Sequence, residues 1–565
     1  MSSSTTTKKN IPAHLKPYLS QQHYQNYTPI NQAVWRYVMR QNVRFFKSTA
    51  HQAYTSGREN TGIHLERIPR LEEMDQALAP FGWGAVSIDG LIPGVAFFEF
   101  QANGLLPIAT DIRTLNHILY TPAPDIIHEA AGHAPILADP EYAAYVKRFG
   151  EIGSKALASK EEHEVFEATR KLSIVMEDNR STEIDIQKAQ QELKEKLSQV
   201  STVSEAAQIG RLYWWTVEYG LIGELTDPKI YGAGLLSSIG ESQHCLSNRV
   251  KKLPFDLEAC ITTDYDVTKP QPQLFVCQSF QELTEAVECF ADRMAFRVGG
   301  TESLEKAIAS GSTATAVFDT GLQVTGTFAE LRYDKQGKAI YLKTHGPTAL
   351  SLDRKEIVGH GKQTHADGFG APIGSVSGLE NVRIGKKVDL HYDSGVQITG
   401  IVRGEVRKNG QRILLQLEEC TVTLGDEILF DPSWGIYDLV IGENIVSVYA
   451  GAADPEMFYN LPEREEIVES QVPMEWSPLD HLYQAIRDIR EGKTSIVKVH
   501  SIHQTLQKDF PDDWLARIEL VEILMTNQDR QEAELTEVVR KELDEISRKK
   551  PELTSLIQNG LTCLD

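Results

Sequence analysis

The chain has 565 residues, of which 41% are hydrophobic and 24% are charged. This length exceeds that of a single domain, and the composition is typical of a globular protein with sizeable cores. The formal net charge of -22 at pH 7 argues against non-specific binding to nucleic acid or to anionic membranes. The sequence has no run of eighteen apolar residues, so no membrane span is expected. Its six cysteines are scattered without a Cys-x-x-Cys pair, which indicates reduced thiols and a cytoplasmic protein.

The first hundred residues alternate between polar and periodic segments. Residues 1–20 are polar and are predicted to form a disordered tail. Within 31–49 the apolar residues recur at helical spacing and predict a helix. A second helix is expected within 66–85, and an extended piece begins at Trp83. Residues 89–100 are predicted to be a loop that enters an aromatic helix or strand.

Two histidines lie close together in the segment Thr121-Pro-Ala-Pro-Asp-Ile-Ile-His128-Glu129-Ala-Ala-Gly132-His133-Ala-Pro135. They are five residues apart, so on an ideal helix they lie roughly 140° apart at about 100° per residue. Both can reach one metal ion only if the helix ends between them. Gly132 is the residue at which a helix would stop, and Pro135 opposes its continuation. The sequence therefore predicts that His128 lies on the last helical turn and His133 on the turn that follows.

A third ligand is offered by the segment Arg211-Leu-Tyr-Trp-Trp-Thr-Val-Glu218-Tyr-Gly220. A carboxylate in so apolar a segment is costly unless it is paired or bound to a metal. Two histidines and one carboxylate form the facial triad that leaves open positions on ferrous iron for oxygen chemistry. The alternative is a zinc hydrolase that uses His128, Glu129 and His133. The zinc motif His-Glu-x-x-His, however, places its histidines four residues apart.

The segments that follow the histidines are helical and then strongly charged. Residues 140–154 predict a helix. Residues 157–205 are rich in Glu and Lys, with pairs four apart such as Glu192 and Lys196. This pattern predicts a solvated helical hairpin, with an interaction arm as the alternative. A composition shift near 300–312 indicates a domain boundary.

Residues 313–452 are rich in Val, Ile and Thr with frequent glycine turns, and predict a β-rich domain. An internal repeat lies within it, because Asp319-Thr-Gly-Leu-Gln-Val-Thr-Gly326 recurs 74 residues later as Asp393-Ser-Gly-Val-Gln-Ile-Thr-Gly400. Two copies fit two small barrel-like or hairpin-rich units that arose by duplication. We interpret the domain as a structural or assembly module, and His360 and His365 as loop histidines.

Residues 460–565 are predicted to be a helical C-terminal region. Ser477-Pro-Leu-Asp480 is a capping box with proline at the first helical position. The apolar stripes that follow at helical spacing are expected to form a core or an oligomer face. This region is therefore the expected surface for a homo-oligomer.

Three separate segments resemble the pterin-dependent aromatic amino acid hydroxylases, and the match is closest to the bacterial members. They are Tyr120-Thr-Pro-x-Pro-Asp-x-x-His-Glu-x-x-Gly-His133, Tyr213-Trp-x-Thr-Val-Glu218 and Tyr231-Gly-Ala-Gly-Leu-Leu-Ser-Ser238. The resemblance covers roughly residues 80–295 and implies a mainly α-helical catalytic domain, which we place at 21–305 with 157–205 as a charged insertion. It also implies ferrous iron, tetrahydrobiopterin and dioxygen. The β-rich and C-terminal regions have no counterpart in it.

The resemblance implies roles for individual residues of this chain. These are the iron ligands His128, His133 and Glu218; the substrate-binding residues Arg113, Thr121, Pro124, Trp214 and Ser237; and the pterin-binding residues Leu91, Phe97 and Glu129. In this set Arg113 grips the substrate carboxylate, and Glu129 and Trp214 are the residues expected to act in catalysis.

The reaction implied by the resemblance is hydroxylation of phenylalanine to tyrosine, a step of phenylalanine catabolism. Trp214 favours phenylalanine or tyrosine as substrate, because tryptophan-specific relatives tend to carry a smaller aromatic residue there. Tyrosine and tryptophan hydroxylation stay as alternatives. A non-catalytic scaffold built on the β repeat and the helical tail is a rival of another class. The expected partners are the aromatic amino acid, dioxygen and pterin, without nucleic acid or membrane.

Overall fold

The computed structural model describes residues 11–88, 90–119, 124–177, 181–266, 269–459, 475–526 and 530–564. A mainly helical region extends to Ser310, a β-rich region follows from Thr313, and a helical C-terminal region begins at Pro478. This order confirms the predicted succession of a helical part, a β-rich part and a helical end. Of the helices described, none is both long and apolar enough to cross a membrane.

The helical region contains fourteen α-helices and six short strands in its described residues. In chain order the elements are α1 Pro29–Thr49, α2 Gln52–Asn60, α3 Leu71–Leu78, β1 Gly84–Ile88, α4 Gly94–Ala102, β2 Leu105–Ala109, α5 Pro140–Gly153, α6 Lys160–Glu177, α7 Glu183–Gln199, α8 Glu205–Tyr213, β3 Leu221–Glu224, β4 Asp227–Ile230, α9 Ala233–Ser237, α10 Ile239–Cys245, β5 Lys251–Pro254, α11 Leu257–Thr262, β6 Gln273–Cys277, α12 Phe280–Ala291, α13 Ala295–Val298 and α14 Gly300–Ser310. The helices predicted over 31–49 and 140–154 correspond to α1 and α5.

Helix α1 lies at the centre of the main hydrophobic core. It begins at a capping box, in which the Thr28 hydroxyl accepts from the Asn31 N–H at 3.3 Å and the Asn31 side chain accepts from the Thr28 N–H at 2.9 Å. Trp35 and Val38 on α1 are fully buried. The same core contains α5, α8, the residues around the histidine segment and the C-terminal helices, so the two helical regions share one interior.

Residues 11–20 are ordered, so the prediction of a disordered tail is wrong for them, and residues 1–10 lie outside the described part of the chain. Ala13–Tyr18 form a 3-10 helix, and the Leu15 side chain is 1% exposed in a small apolar cluster. The Ser20 N–H donates to the Ser87 carbonyl at 2.9 Å, at the free edge of β1. Tertiary packing orders this segment, although its local composition is polar.

The charged segment forms the predicted helical hairpin from α6 and α7. Lys171 contacts Glu192 at 2.6 Å, and Lys196 contacts Glu164 at 2.7 Å, which sets the two helices antiparallel. Glu192 and Lys196 thus pair across the hairpin, whereas the sequence predicted a pair within one helix. These ion pairs are accessible to solvent, which screens them, so they contribute little to stability.

Two six-stranded sheets form the β-rich region. Its elements are β7 Thr313–Phe318, β8 Leu322–Tyr333, β9 Ala339–Leu352, β10 Lys355–Glu356, β11 Gly368–Pro372, β12 Val376–Ser377, β13 Lys387–Tyr392, β14 Val396–Lys408, β15 Gln411–Leu424, β16 Glu427–Phe430, β17 Tyr437–Val440, β18 Ile445–Ala450 and α15 Pro455–Phe458. The first sheet has the order β10-β9-β8-β7-β18 with β11 on β9, and the second has β12-β13-β14-β15-β16 with β17 on β15.

Each sheet is completed by a strand that comes after the other sheet's meander. β12 follows the first meander and pairs with β13, whereas β18 follows the second meander and pairs with β7. His360 and His365, in the expected loop between β10 and β11, contact the Asp438 carboxylate on β17 at 2.6 and 2.9 Å. The two units are therefore joined by β18, which crosses to the first sheet, and by the buried contacts of His360 and His365 with Asp438.

The C-terminal helices are α16 Pro478–Arg490, α17 Val499–Asp509, α18 Leu515–Met525, α19 Arg530–Lys549 and α20 Thr554–Thr562. The capping box of Ser477 and Asp480 is present at the start of α16, as predicted. The helices pack on α1: the Tyr37 hydroxyl donates to the Leu556 carbonyl at 2.7 Å, and its ring meets Trp514 edge-on at 5.1 Å. Much of their apolar face is therefore buried within the same chain.

A buried arginine joins α1 to α18. Arg36 is 2% exposed, and its guanidinium lies 3.0 Å from Glu519 and also contacts Glu522. We expect Arg36→Ala to lower the free energy of unfolding by about 3 kcal/mol, because it removes a buried guanidinium and leaves the buried Glu519 carboxylate with its contact to Arg490 in place of two arginines. Urea unfolding followed by circular dichroism measures this. Arg332→Ala is the control, since its partly exposed pair with Glu427 contributes under about 1 kcal/mol; an equally small loss for Arg36 would contradict the account.

Candidate metal centre

His128 and His133 lie on one π-helix, Ile127–His133, which continues through Gly132. The expectation that a helix ends between them is therefore wrong. In a π-helix the backbone hydrogen bonds join residues five apart, so residues at that spacing lie on the same side. The wider turn brings the two imidazoles together without a break in the helix.

Gly132 allows two backbone segments to approach each other closely, and it does not mark a helix end. A Cβ atom at this position would lie 2.6 Å from the carbonyl oxygen of Ala233 on α9. Pro135 begins a short 3-10 helix, Pro135–Ala138, immediately after the π-helix. The signals that suggested a helix end thus mark tight packing and a change of helix type.

Glu218 lies at the end of a second π-helix, Trp214–Glu218, which follows α8 directly. Its two carboxylate oxygens lie 3.3 Å from His128 Nε2 and 3.2 Å from His133 Nε2, and the two Nε2 atoms are 3.3 Å apart. Three donors at about 2.1 Å from one ion, 90–110° apart, are about 3.0–3.4 Å from each other. Among the described residues these three form the one group that could hold a metal ion, and their spacing fits one.

The protonation of the three groups suits metal binding. Burial lowers the pKa of His128 to about 4, so its imidazole is neutral at pH 7. Although burial opposes both shifts, the attraction between Glu218 and the imidazoles lowers the pKa of Glu218 and raises that of His133. A metal ion binds the deprotonated form of each ligand. On binding it would displace the proton held between Glu218 and His133.

Ser237 fixes the tautomer of His128. The Ser237 hydroxyl donates to the Gly234 carbonyl at 3.2 Å, and its oxygen lies 3.1 Å from His128 Nδ1. Nδ1 therefore carries the proton and donates to Ser237, which leaves the lone pair of Nε2 for a metal.

Glu129 is a buried carboxyl group beside the two histidines. It is 4% exposed, its Oε2 atom lies 3.9 Å from His133 Nε2, and this oxygen has no hydrogen-bond partner within the described structure. Burial raises the pKa of Glu129 to about 8. A buried unpaired oxygen requires a partner, and a bound cofactor or water would supply one.

Arg113 and Asp125 form a buried pair next to the π-helix. Arg113 donates from Nε and Nη2 to Asp125 at 2.8 Å each, and from Nη1 to the Ser237 carbonyl at 3.2 Å. Guanidinium has five N–H donors, so the contacts to described residues leave two for a carboxylate ligand. Asp125 also accepts from the backbone N–H of His128 at 3.0 Å. The sequence motif contained Asp125, but its role as the orienting partner of Arg113 was missed.

Trp214 has both ring faces covered. It stacks on Tyr219 at 4.6 Å and on Tyr265 at 4.3 Å between ring centroids, so only its edges are available to a substrate ring. Pro124 is exposed. Tyr265 lies 51 residues from Trp214 in sequence, and no local pattern indicated it.

Phe97 and Leu91, both predicted to bind the pterin, lie on α4 and shortly before it. Phe97 on α4 is half-buried, and it meets Phe98 and Tyr213 edge-on at 5.9 and 5.7 Å. Leu91 is half-buried and lies three residues before α4. Thr121 lies outside the described residues.

Comparison with known proteins adds a family match. The model of the biopterin-dependent aromatic amino acid hydroxylases matches residues 18–177 and 191–299. Phenylalanine-4-hydroxylase of Mesorhizobium japonicum is 30% identical over 266 residues, 46% of this chain and 80% of that protein. The enzyme of Pseudomonas aeruginosa is 30% identical over 264 residues, covering 46% and 84%. A Chromobacterium violaceum phenylalanine hydroxylase structure with iron(III) and 7,8-dihydrobiopterin shows 27% identity, coverage of 52% and 92%, and a TM-score of 0.39.

A buried group of two histidines and one carboxylate has the donor set of the mononuclear non-haem iron oxygenases. The chain belongs to the biopterin-dependent aromatic amino acid hydroxylase family. It is therefore a pterin-dependent aromatic amino acid monooxygenase with iron and tetrahydrobiopterin as cofactors. The family match ends at residue 299, before the β-rich region begins.

The packing of Gly132 gives a testable consequence. We expect Gly132→Ala to weaken iron binding and to cost about 1–3 kcal/mol of stability, because the new methyl group would push the π-helix away from Ala233. Iron content after dialysis and the thermal midpoint are the readouts. Gly210→Ala on α8 is the matched control, since its Cβ would meet no atom within 4 Å. Full iron retention in Gly132→Ala would show that the close approach is dispensable.

Proposed function

We propose that this chain hydroxylates phenylalanine to tyrosine with dioxygen and tetrahydrobiopterin, at one iron held by His128, His133 and Glu218. The observation that carries the proposal is the convergence of these three side chains within 3.3 Å of each other. The names of the relatives, phenylalanine-4-hydroxylases, support phenylalanine as the substrate.

His128, His133 and Glu218 would hold the iron, and a set of three protein ligands would leave positions on it for exogenous ligands. When bound, iron and tetrahydrobiopterin together supply the activation of dioxygen, and the protein positions the reactants. Ser237 keeps the Nε2 lone pair of His128 directed at the iron through its contact with Nδ1. Glu129 faces this site with an unpaired oxygen and is the proposed partner of the pterin.

The substrate carboxylate is proposed to bind the two N–H donors of Arg113 that have no partner among the residues described. Asp125 and the Ser237 carbonyl hold the guanidinium plane in a fixed orientation, so little conformational freedom is lost on binding. Thr121 is proposed to assist, as the family motif implies.

The substrate ring is proposed to lie between Pro124 and an edge of Trp214. Because Tyr219 and Tyr265 occupy both faces of the indole, the ring of Trp214 is held in one plane and gives the pocket a rigid wall. A rigid wall of this size favours a single-ring substrate over tryptophan. Leu91 and Phe97 are the proposed apolar contacts of the pterin.

The β-rich region is proposed to have arisen by duplication. Its two meanders have β-bulges at corresponding positions: register shifts occur at 325/327, 328/330 and 332/333 in the first, and at 399/401, 402/404 and 406/407 in the second. Each shift recurs 74 residues later, which is the spacing of the sequence repeat. Bulges are retained features of a fold, so their recurrence supports a common origin.

The domain limits, the oligomeric state and the location in the cell are further proposals. We propose a catalytic domain over 21–305, a β-rich domain over 313–452 and a C-terminal region over 460–565, in a cytoplasmic protein. The helical C-terminal region is the proposed oligomer surface, although its packing on α1 leaves less apolar surface for a second chain than the sequence suggested.

Product analysis with the three aromatic amino acids tests the proposed reaction. With iron(II), tetrahydrobiopterin and dioxygen, purified protein should convert phenylalanine to tyrosine faster than it hydroxylates tyrosine or tryptophan, as measured by chromatography and mass spectrometry. His128→Ala should abolish product and lower iron content, because one of three ligands is lost. The control is His64→Ala, which changes a partly exposed histidine outside the proposed metal site. Failure to hydroxylate any of the three amino acids would refute the proposal.

A further inference from the structure

The N-terminal segment of residues 11–20 touches the helix that carries the proposed pterin contact. His14, in the 3-10 helix Ala13–Tyr18, places Nε2 2.8 Å from Oε1 of Glu99 on α4. Glu99 follows Phe97 by two residues on the same helix. The two side chains are only 12% and 24% exposed, so the contact is largely shielded from water. A hydrogen bond to a carboxylate in such a position restrains α4 directly.

An apolar contact reinforces this hydrogen bond. Leu15, the residue after His14, is 1% exposed and belongs to a cluster with Ile92 and Ala96, which lie just before and within α4. Phe97 packs against the edge of the same cluster. The segment therefore holds both the entry to α4 and its first turns in place.

The β-rich region reaches this segment through α15. Helix α15 follows β18 closely and packs against the 3-10 helix that contains His14. It is anchored at both ends by the chain after β9: the Glu356 N–H donates to Asp454 Oδ2 at 3.0 Å, and Lys362 Nζ donates to the Phe458 carbonyl at 2.6 Å. Helix α15 is therefore attached at both ends to the segment that follows β9 in the β-rich region.

We propose that His14 is a positioning residue for the pterin site, and that the β-rich region holds it in place through α15. The inference rests on the proposed role of Phe97. His128, His133 and Glu218 lie on the two π-helices and have no part in these contacts. Loss of the contacts should therefore weaken pterin binding and leave iron binding unchanged. The β-rich region, which lies outside the family match, would thereby support pterin binding in the family's reaction.

Binding of 7,8-dihydrobiopterin to the full-length, iron-loaded protein tests the proposal by titration calorimetry. His14→Ala should raise the Kd about tenfold, the effect of losing one hydrogen bond to a carboxylate. Lys362→Ala should raise it by a smaller factor, about threefold, because α15 keeps its other anchor. The double variant should bind no more weakly than His14→Ala, because both changes act through one segment.

Kinetic measurements and matched control variants distinguish a loss of positioning from a general loss of structure. The KM for tetrahydrobiopterin should rise in His14→Ala, while the KM for the aromatic amino acid and the iron content stay at their wild-type values. His14→Gln, whose amide can still donate to Glu99, should recover most of the affinity. Lys16→Ala, an exposed residue on the same 3-10 helix, should behave as wild type.

Two results would overturn the proposal. One is a Kd for His14→Ala within twofold of wild type. The other is a double variant whose increase in Kd equals the product of the increases in the two single variants. That result would mean that His14 and α15 act independently. Either can occur in an enzyme that makes tyrosine from phenylalanine, so both are distinguishable from failure of the proposed function, which wild-type product analysis reports.

Discussion

The five-residue spacing of His128 and His133 is the constraint on which the catalytic region depends. An α-helix would turn them to different sides, whereas the π-helix places both imidazoles on one side. A second π-helix brings Glu218 to the same point from a segment 85 residues further along the chain. Turns of π-helix are rare in proteins, and those that occur are often found at functional sites. Here they are supported by packing, since the backbone at Gly132 lies directly against Ala233.

One carboxylate connects the proposed metal ligands with Arg113, the arginine proposed to bind the substrate. Asp125 accepts three N–H groups of Arg113, one of them from the backbone, and the backbone N–H of His128 at the start of the π-helix. Although burial opposes it, the Arg113 guanidinium holds the pKa of Asp125 below its usual value. Ser237 adds a second link, because its carbonyl accepts from Arg113 and its hydroxyl contacts His128. The same groups thus orient Arg113 and His128, so they would set both the position of an amino acid bound to Arg113 and the orientation of the histidine.

Sequence reasoning grouped His128, His133 and Glu218 because their chemistry is unusual for buried segments, and the structure brings the three together. It located α1 and α5 because their apolar residues recur at helical spacing. It did not find the π-helix, since no residue preference distinguishes a π-turn from a helix end at Gly132. The stack of Tyr265 on Trp214 and the order of residues 11–20 depend on contacts between distant segments, which local patterns do not encode. Amphipathic stripes in α16–α20 indicated a buried face, but only the structure identifies α1 as its partner.

The central claim is that two π-turns hold a single iron through His128, His133 and Glu218. X-ray absorption spectroscopy of the iron(II)-loaded protein tests it most directly, because it reports the atoms bound to the metal. The account predicts one iron per chain, with scattering from two imidazole rings and the remaining positions filled by oxygen. A spectrum without imidazole scattering, or one unchanged in Glu218→Ala, would contradict it.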